Sequence, residues 1–182
     1  FYDALLEGRS GVKEISRFDA SEFPTKFAAQ IEGFTSEGFI DRKNDRRMDD
    51  CIRYTLVASK KAMQQAKMYT DEEQEGLDKT RVGVLVGSGM GGLQVFQDGV
   101  QALVQKGHKK ITPFFIPYAI TNMGSAMVAI DHGFMGPNYS ISTACATANY
   151  CFTAAANHIR NGEADIIVAG GSEAPIIPVG LG

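Results

Sequence analysis

The sequence lacks any uninterrupted apolar run close to the roughly 20 residues that a membrane-spanning helix needs. Its first residues also lack the basic-then-apolar layout of a signal peptide. There is no basic stripe: Lys and Arg are scattered among Asp and Glu, with a formal net charge of −3, so nothing is arranged to follow a phosphate backbone. Neither a membrane nor nucleic acid is expected as a partner, and the chain reads as soluble. Cysteine is scarce. Cys51, Cys145 and Cys151 are an odd number in a chain too large to need disulfide staples, which predicts free thiols in a reducing compartment. Histidine is equally scarce, at three, and this limits the bases available to a nucleophile.

What is present suits one ordinary core: 182 residues, 44% of them hydrophobic, with no linker or low-complexity segment to divide them. Residues 1–7 are helix-like and stop at Gly8-Arg9-Ser10-Gly11, and residues 21–44 read as surface loop with short pieces of strand. Across residues 45–68, the spacing of Met48, Cys51, Ile52, Leu56, Ala62, Met63 and Ala66 predicts one amphipathic helix packed on a sheet. Residues 70–79 form a connector, 81–87 a strand buried on both faces, and 93–106 a helix. A proline-broken apolar loop (112–117), a helix (118–132, ended by Gly133), a short strand (139–142), a helix (145–160) and a buried strand (165–169) follow. The class is α/β. Phe1 in first place and a loop-like stretch over 178–182 suggest a piece of a longer chain.

The run Ser140-Ile141-Ser142-Thr143-Ala144-Cys145-Ala146-Thr147-Ala148 carries the chemistry. A strand stops, small residues permit a tight turn, and a cysteine stands where a helix begins. Unpaired N–H groups and the macrodipole at such a place favour thiolate over thiol and suit a developing oxyanion. Ala144, Ala146 and Ala148 leave room for a ligand beside the sulfur. Context alone leaves nucleophile and small buried hydrophobe about level for Cys145. Cys51 and Cys151 fit packing roles.

A base for that nucleophile is missing. His158 follows Cys145 by 13 residues in the same expected helix, roughly 20 Å away at about 1.5 Å per residue. His108 in a Lys-rich loop and His132 at a helix end read as surface or capping residues. Gly87-Ser88-Gly89-Met90-Gly91-Gly92 imitates a dinucleotide loop, but no ribose-binding acid or P-loop lysine follows it. Tight backbone packing that sets Met90 against a pocket wall is the better reading.

Ser142-Thr143-Ala144-Cys145-Ala146-Thr147, with Gly136-Pro137-Asn138 upstream and Ala169-Gly170-Gly171-Ser172-Glu173-Ala174 downstream, resembles the active-site region of β-ketoacyl-acyl carrier protein synthases. The likeness extends through residues 86–92, Ser10-Gly11, Arg17-Phe18-Asp19, and Pro113-Phe114-Phe115-Ile116-Pro117 with Asn122-Met123, and so covers essentially the whole chain. Residues 150–152, 154–160 and 178–182 look most like the plastid type I enzymes of plants.

The resemblance implies a thiolase-like fold, in which two α/β halves form an αβαβα sandwich and the cysteine of the first half meets two histidines and a lysine from the second. Residues 1–182 would then be an incomplete N-terminal domain, without its first strand and without the C-terminal half, and inactive alone. It further implies that Cys145 accepts an acyl chain from acyl carrier protein. Decarboxylated malonyl-acyl carrier protein would extend that chain by two carbons, with the Cys145 N–H as one oxyanion donor. Met90 matches the floor of the acyl pocket, and Ile116 the position at which a neighbouring subunit closes it. A homodimer, a chloroplast stroma location, no cofactor and no metal complete the implication. The alternatives are a non-catalytic chain-length partner subunit, a coenzyme A-dependent thiolase, a polyketide-type synthase, and a cysteine hydrolase, for which no in-chain base stands out.

Overall fold

The computed structural model describes residues 2–181. Phe1 and Gly182, placed by the sequence pattern in a helix and in a terminal loop, lie outside the described residues. The chain divides into two compact units, residues 1–35 with 175–182 and residues 36–174.

The smaller unit opens with helix α1 (Tyr2–Leu6), which ends ahead of Gly8 at φ +67°. Strands β1 (Val12–Glu14) and β2 (Phe27–Ala29) pair antiparallel, Lys13 opposite Ala28. Lys13 also reaches Glu32 at 3.0 Å, an exposed ion pair that solvent screens. The expected terminal loop is instead a helical turn over Pro178–Leu181, with Pro178 in first place, where its missing N–H costs nothing.

In the larger unit the helix expected over 45–68 is shorter, beginning at Asp50 and ending at Gln65, and a separate short helix precedes it. Helix α2 (Arg42–Asp45) is capped by Asp41, and α3 (Asp50–Gln65) by Asp49, whose carboxylate accepts the Cys51 N–H. The side chain of a capping residue must leave the helical path to reach those N–H groups, so Asp49 breaks the run. Ile52, Leu56 and Met63 are buried as the spacing predicts, but Ala62 and Ala66 are exposed, while Thr55, Ser59 and Lys60 are buried. The Lys60 ammonium reaches the Phe39 carbonyl at 2.8 Å and the Asp131 carboxylate at 2.5 Å, so its stem counts as core while its charge is paired.

Strand β3 (Val82–Gly87) is buried at every position. Leu85, fully buried, packs with Cys151 and Ala155, a burial worth roughly 2 kcal/mol. Helix α4 (Leu93–Lys106) follows the glycine turn at the expected bounds. The region expected as a proline-broken loop and one long helix folds differently, into α5 (Phe115–Ala119) and α6 (Met123–His132). Pro117 is the third residue of α5, within the first turn, where N–H groups have no helical partner and proline is tolerated. Ile120 then turns extended, with ψ at 149°, which ends α5.

Helix α7 (Thr147–Arg160) leads into β4 (Ile166–Gly171), parallel to β3 with Val84 opposite Val168. Gly170 and Gly171 belong to this strand, which therefore runs two residues beyond the expected end, and Ile166 to Gly170 are half-buried rather than fully buried, with Gly171 exposed. The strand expected over 139–142 does not form. On that edge of β3, the Gly136 N–H donates to Val82 and the Val84 N–H to Pro137, leaving a single bridge at Asn138. The buried hydroxyl of Ser125 on α6 then takes the next places in the ladder, donating to the Val84 carbonyl at 2.6 Å and accepting from the Val86 N–H at 3.4 Å. With those groups satisfied, residues 139–142 have no ladder to join.

Candidate active site

Cys145 lies in a single turn of 3₁₀ helix (Ala144–Ala146), two residues ahead of α7 rather than within it. The turn is sharp because Ala144 sits at φ +49°, the left-handed region that costs a residue with a Cβ about 1–2 kcal/mol. Thr147 holds it there. Its buried hydroxyl donates to the Ala144 carbonyl and accepts the Thr143 N–H, both at 2.8 Å. Gly87, at the end of β3, lets the turn approach: a Cβ at that position would stand 2.4 Å from the Ile141 carbonyl and 2.5 Å from the Thr147 methyl. The result is an exposed thiol on a constrained backbone.

A cavity of about 430 Å³ opens beside that thiol. Cys145 and Met90 both line it, as do Ala144 and Ala148 beside the thiol. Gly87, Ser88 and Gly89 supply a second wall, and Gly171, Ser172 and Glu173 a third. Most of this surface is apolar. Ile116, half a helix turn into α5 and 59% exposed, is not among the lining residues. Two of the three residues singled out in the sequence are thus brought together, and the third is left facing outward.

Glu173 was not singled out, yet it organises the glycine loop. Its carboxylate accepts the Gly89 N–H at 2.7 Å, the Met90 N–H at 3.2 Å and the Ser88 hydroxyl at 3.0 Å. Asp49 plays a comparable part at the far end of the loop, accepting the Val95 N–H at the start of α4. With the Gly91 N–H on the Ser88 hydroxyl and the Gly92 N–H on the Ala119 carbonyl, the loop N–H groups that would have to cradle a phosphate are engaged within the protein, and the glycine run acts as a packing device. Gly92 confirms the crowding: a Cβ there would stand 1.9 Å from the Tyr118 carbonyl. The signal for Glu173 was an acid two residues after the glycines that close a strand, in a chain that also carries a glycine-rich loop whose N–H groups need acceptors.

The other two cysteines are buried. Cys51 lies 3.4 Å from both the Ser88 hydroxyl and the Ser172 carbonyl, and burial pushes its thiol up to about 11. Burial raises Cys151 as well. None of the three histidines lines the cavity. His158 pairs with Glu163 and the Tyr139 hydroxyl, and His108 is exposed. His132 is half-buried against Gln74, with its basicity lowered by that burial and by Lys60. The site therefore holds an exposed thiol and a largely apolar wall, with no histidine lining the cavity.

A family model described as the β-ketoacyl synthase N-terminal domain matches residues 1–182. Over the whole chain the sequence is 70% identical to the chloroplastic 3-oxoacyl-[acyl-carrier-protein] synthase I of Hordeum vulgare and 65% identical to that of Arabidopsis thaliana. It covers 40% and 38% of those proteins, so the chain spans about two fifths of the length of these curated relatives. A type II polyketide ketosynthase, solved in complex with its acyl-carrier protein and bound to the hexaketide, superposes with a TM-score of 0.75 at 27% identity, over 83% of this chain and 42% of that one. A β-ketoacyl synthase from Burkholderia phymatum superposes with a TM-score of 0.76 over 90% of this chain and 40% of that one; at 23% identity it bears on the fold alone. With its full length matched by the family model and its α/β scaffold shared with solved ketosynthases, the chain belongs to the β-ketoacyl synthase family and has the thiolase-like fold.

Proposed function

We propose that this chain supplies the nucleophile half of a condensing enzyme of fatty acid synthesis. The observation that carries the reading is the exposed Cys145 thiol, held on a left-handed Ala144 turn at the mouth of a largely apolar cavity. The Cys145 thiolate attacks the thioester carbonyl of an acyl-acyl carrier protein, and collapse of the tetrahedral adduct expels the carrier's thiol and leaves the acyl group on sulfur. Malonyl-acyl carrier protein then loses carbon dioxide. The resulting carbanion attacks the acyl-cysteine carbonyl, forming the new carbon–carbon bond and releasing Cys145. The Cys145 N–H serves as one oxyanion donor.

Met90 limits the acyl chain from within, and Ile116 closes the pocket of a second copy in a homodimer, which accounts for its exposure in a single chain. Two histidines and a lysine that complete the chemistry belong to the remainder of the sandwich, in keeping with the two fifths of the relatives' length covered here. In this reading, residues 1–182 form an incomplete N-terminal domain. The chloroplastic relatives support a plastid location, and the solved complex of a ketosynthase with its carrier supports acyl carrier protein as partner.

Mass spectrometry of the complete protein after incubation with an acyl-acyl carrier protein tests this. An adduct on Cys145, absent in Cys145→Ala, is expected. A folded protein that takes no adduct would reject the reading.

A further inference from the structure

We propose that Glu173 is a positioning residue that sets the acyl-chain selectivity of the Cys145 site by fixing the wall that carries Met90. The inference rests on the acyl-transfer reading given above. The loop from Ser88 to Met90 is held from two sides. On one, Ser142 of the nucleophile turn donates its hydroxyl to the Gly89 carbonyl at 3.2 Å. On the other, both carboxylate oxygens of Glu173 are engaged: Oε2 accepts the Gly89 N–H, and Oε1 accepts the Met90 N–H and the Ser88 hydroxyl. Ser88 in turn accepts the Gly91 N–H at 2.9 Å.

Three successive residues of one wall therefore hang on a single side chain from the strand end that forms another. Hydrogen bonds to an ionised acceptor are about twice as strong as neutral ones, so this carboxylate dominates the placement of the loop. Met90 itself is 54% exposed, so its backbone tether weighs heavily in where its side chain lies. Glutamine cannot substitute fully. Whichever way its amide turns, an NH₂ group faces either the Gly89 N–H or the Met90 N–H.

The test compares wild type, Glu173→Gln, Met90→Ala and the double variant in the complete protein. The rate of Cys145 adduct formation is read with carrier proteins bearing short and long saturated acyl chains. Glu173→Gln is expected to raise the long-to-short ratio roughly tenfold by loosening the wall, a size typical of a pocket that gains or loses a methylene. In the Met90→Ala background, where the wall is already gone, it should leave the ratio unchanged. A uniform loss at all chain lengths, adding to that of Met90→Ala, would show a merely structural role and overturn the inference while leaving the reaction intact. Wild type that forms no adduct with any donor overturns the reaction, and this inference with it. Should Glu173→Gln not fold, Gly89→Ala attacks the same contact, because a Cβ at Gly89 would stand 2.8 Å from Glu173 Oε2. It should shift the ratio in the same direction, and a folded Gly89→Ala with the wild-type ratio overturns the proposal.

Discussion

Cys51 and Cys145 occupy similar local positions with opposite surroundings. Cys51 is the second residue of α3, and Cys145 stands two residues ahead of α7, so both lie near the positive end of a helix dipole. Around Cys51, the neighbours cancel that advantage. It is 4% exposed, the Asp49 carboxylate sits on its own N–H, and burial above all drives its thiol up to about 11. Cys145 is exposed on a turn that opens to a cavity. Proximity to a helix start thus does not by itself make a nucleophile. Desolvation of an anion outweighs a dipole worth about 1 kcal/mol.

The largest effect that could break this comparison is in thiol reactivity. Near pH 8, a thiol titrating three units higher is ionised to roughly one part in a thousand. Brief iodoacetamide treatment should therefore label Cys145 on the native protein and leave Cys51 and Cys151 free, with all three labelled in denaturant. Mass spectrometry of tryptic peptides reads the outcome, and equal labelling of Cys51 and Cys145 in the folded state would end the contrast.

A second effect concerns stability at high pH. The thiol of Cys51 is an acid whose value rises from 9.0 in the unfolded chain to about 11 in the folded one. The folded state therefore keeps the proton longer than the unfolded state, and stability falls as pH climbs from about 9 to about 11. The loss amounts to roughly 2–3 kcal/mol. Urea unfolding across this range should show a steeper decline in wild type than in Cys51→Ala, and parallel declines would mean that burial is not what suppresses this thiol.

The smallest effect sharpens the Cys145 side. Thr147→Val keeps the shape of a buried side chain but removes the hydroxyl that ties Thr143 and Ala144. It should cost roughly 1–2 kcal/mol of unfolding free energy, read by urea titration, and slow alkylation of Cys145 several-fold. A change in stability alone, with alkylation untouched, would separate the turn from the reactivity of the thiol.

Much of the scaffold was legible because its signals were local. The apolar run that became β3, and the helix from Leu93 to Lys106 with Gly107 behind it, follow from hydrophobic continuity and an end signal. The small-residue turn around Cys145 was likewise visible as a turn. Failures occurred where a distant side chain took over a backbone role. Ser125 replaced a strand over 139–142, and no feature of those residues announces a hydroxyl from another helix. Pro117 looked like a breaker until the chain placed it in a first turn. Ala62 and Ala66 matched the expected period but are exposed, and the buried Lys60 is compatible with the core because Asp131 and Phe39 meet its charge.

The sequence by itself determined the α/β class, the free thiols and the place of the cysteine turn, since each depends on residues adjacent in the chain or repeated at a fixed period. Tertiary structure alone decided which of two helix-start cysteines is accessible, that Met90 shares its cavity, and that Glu173 holds the opposing loop across 84 positions of sequence. Burial and hydrogen-bond partnership are properties of neighbours in space. No local pattern specifies them until the backbone has brought those neighbours together.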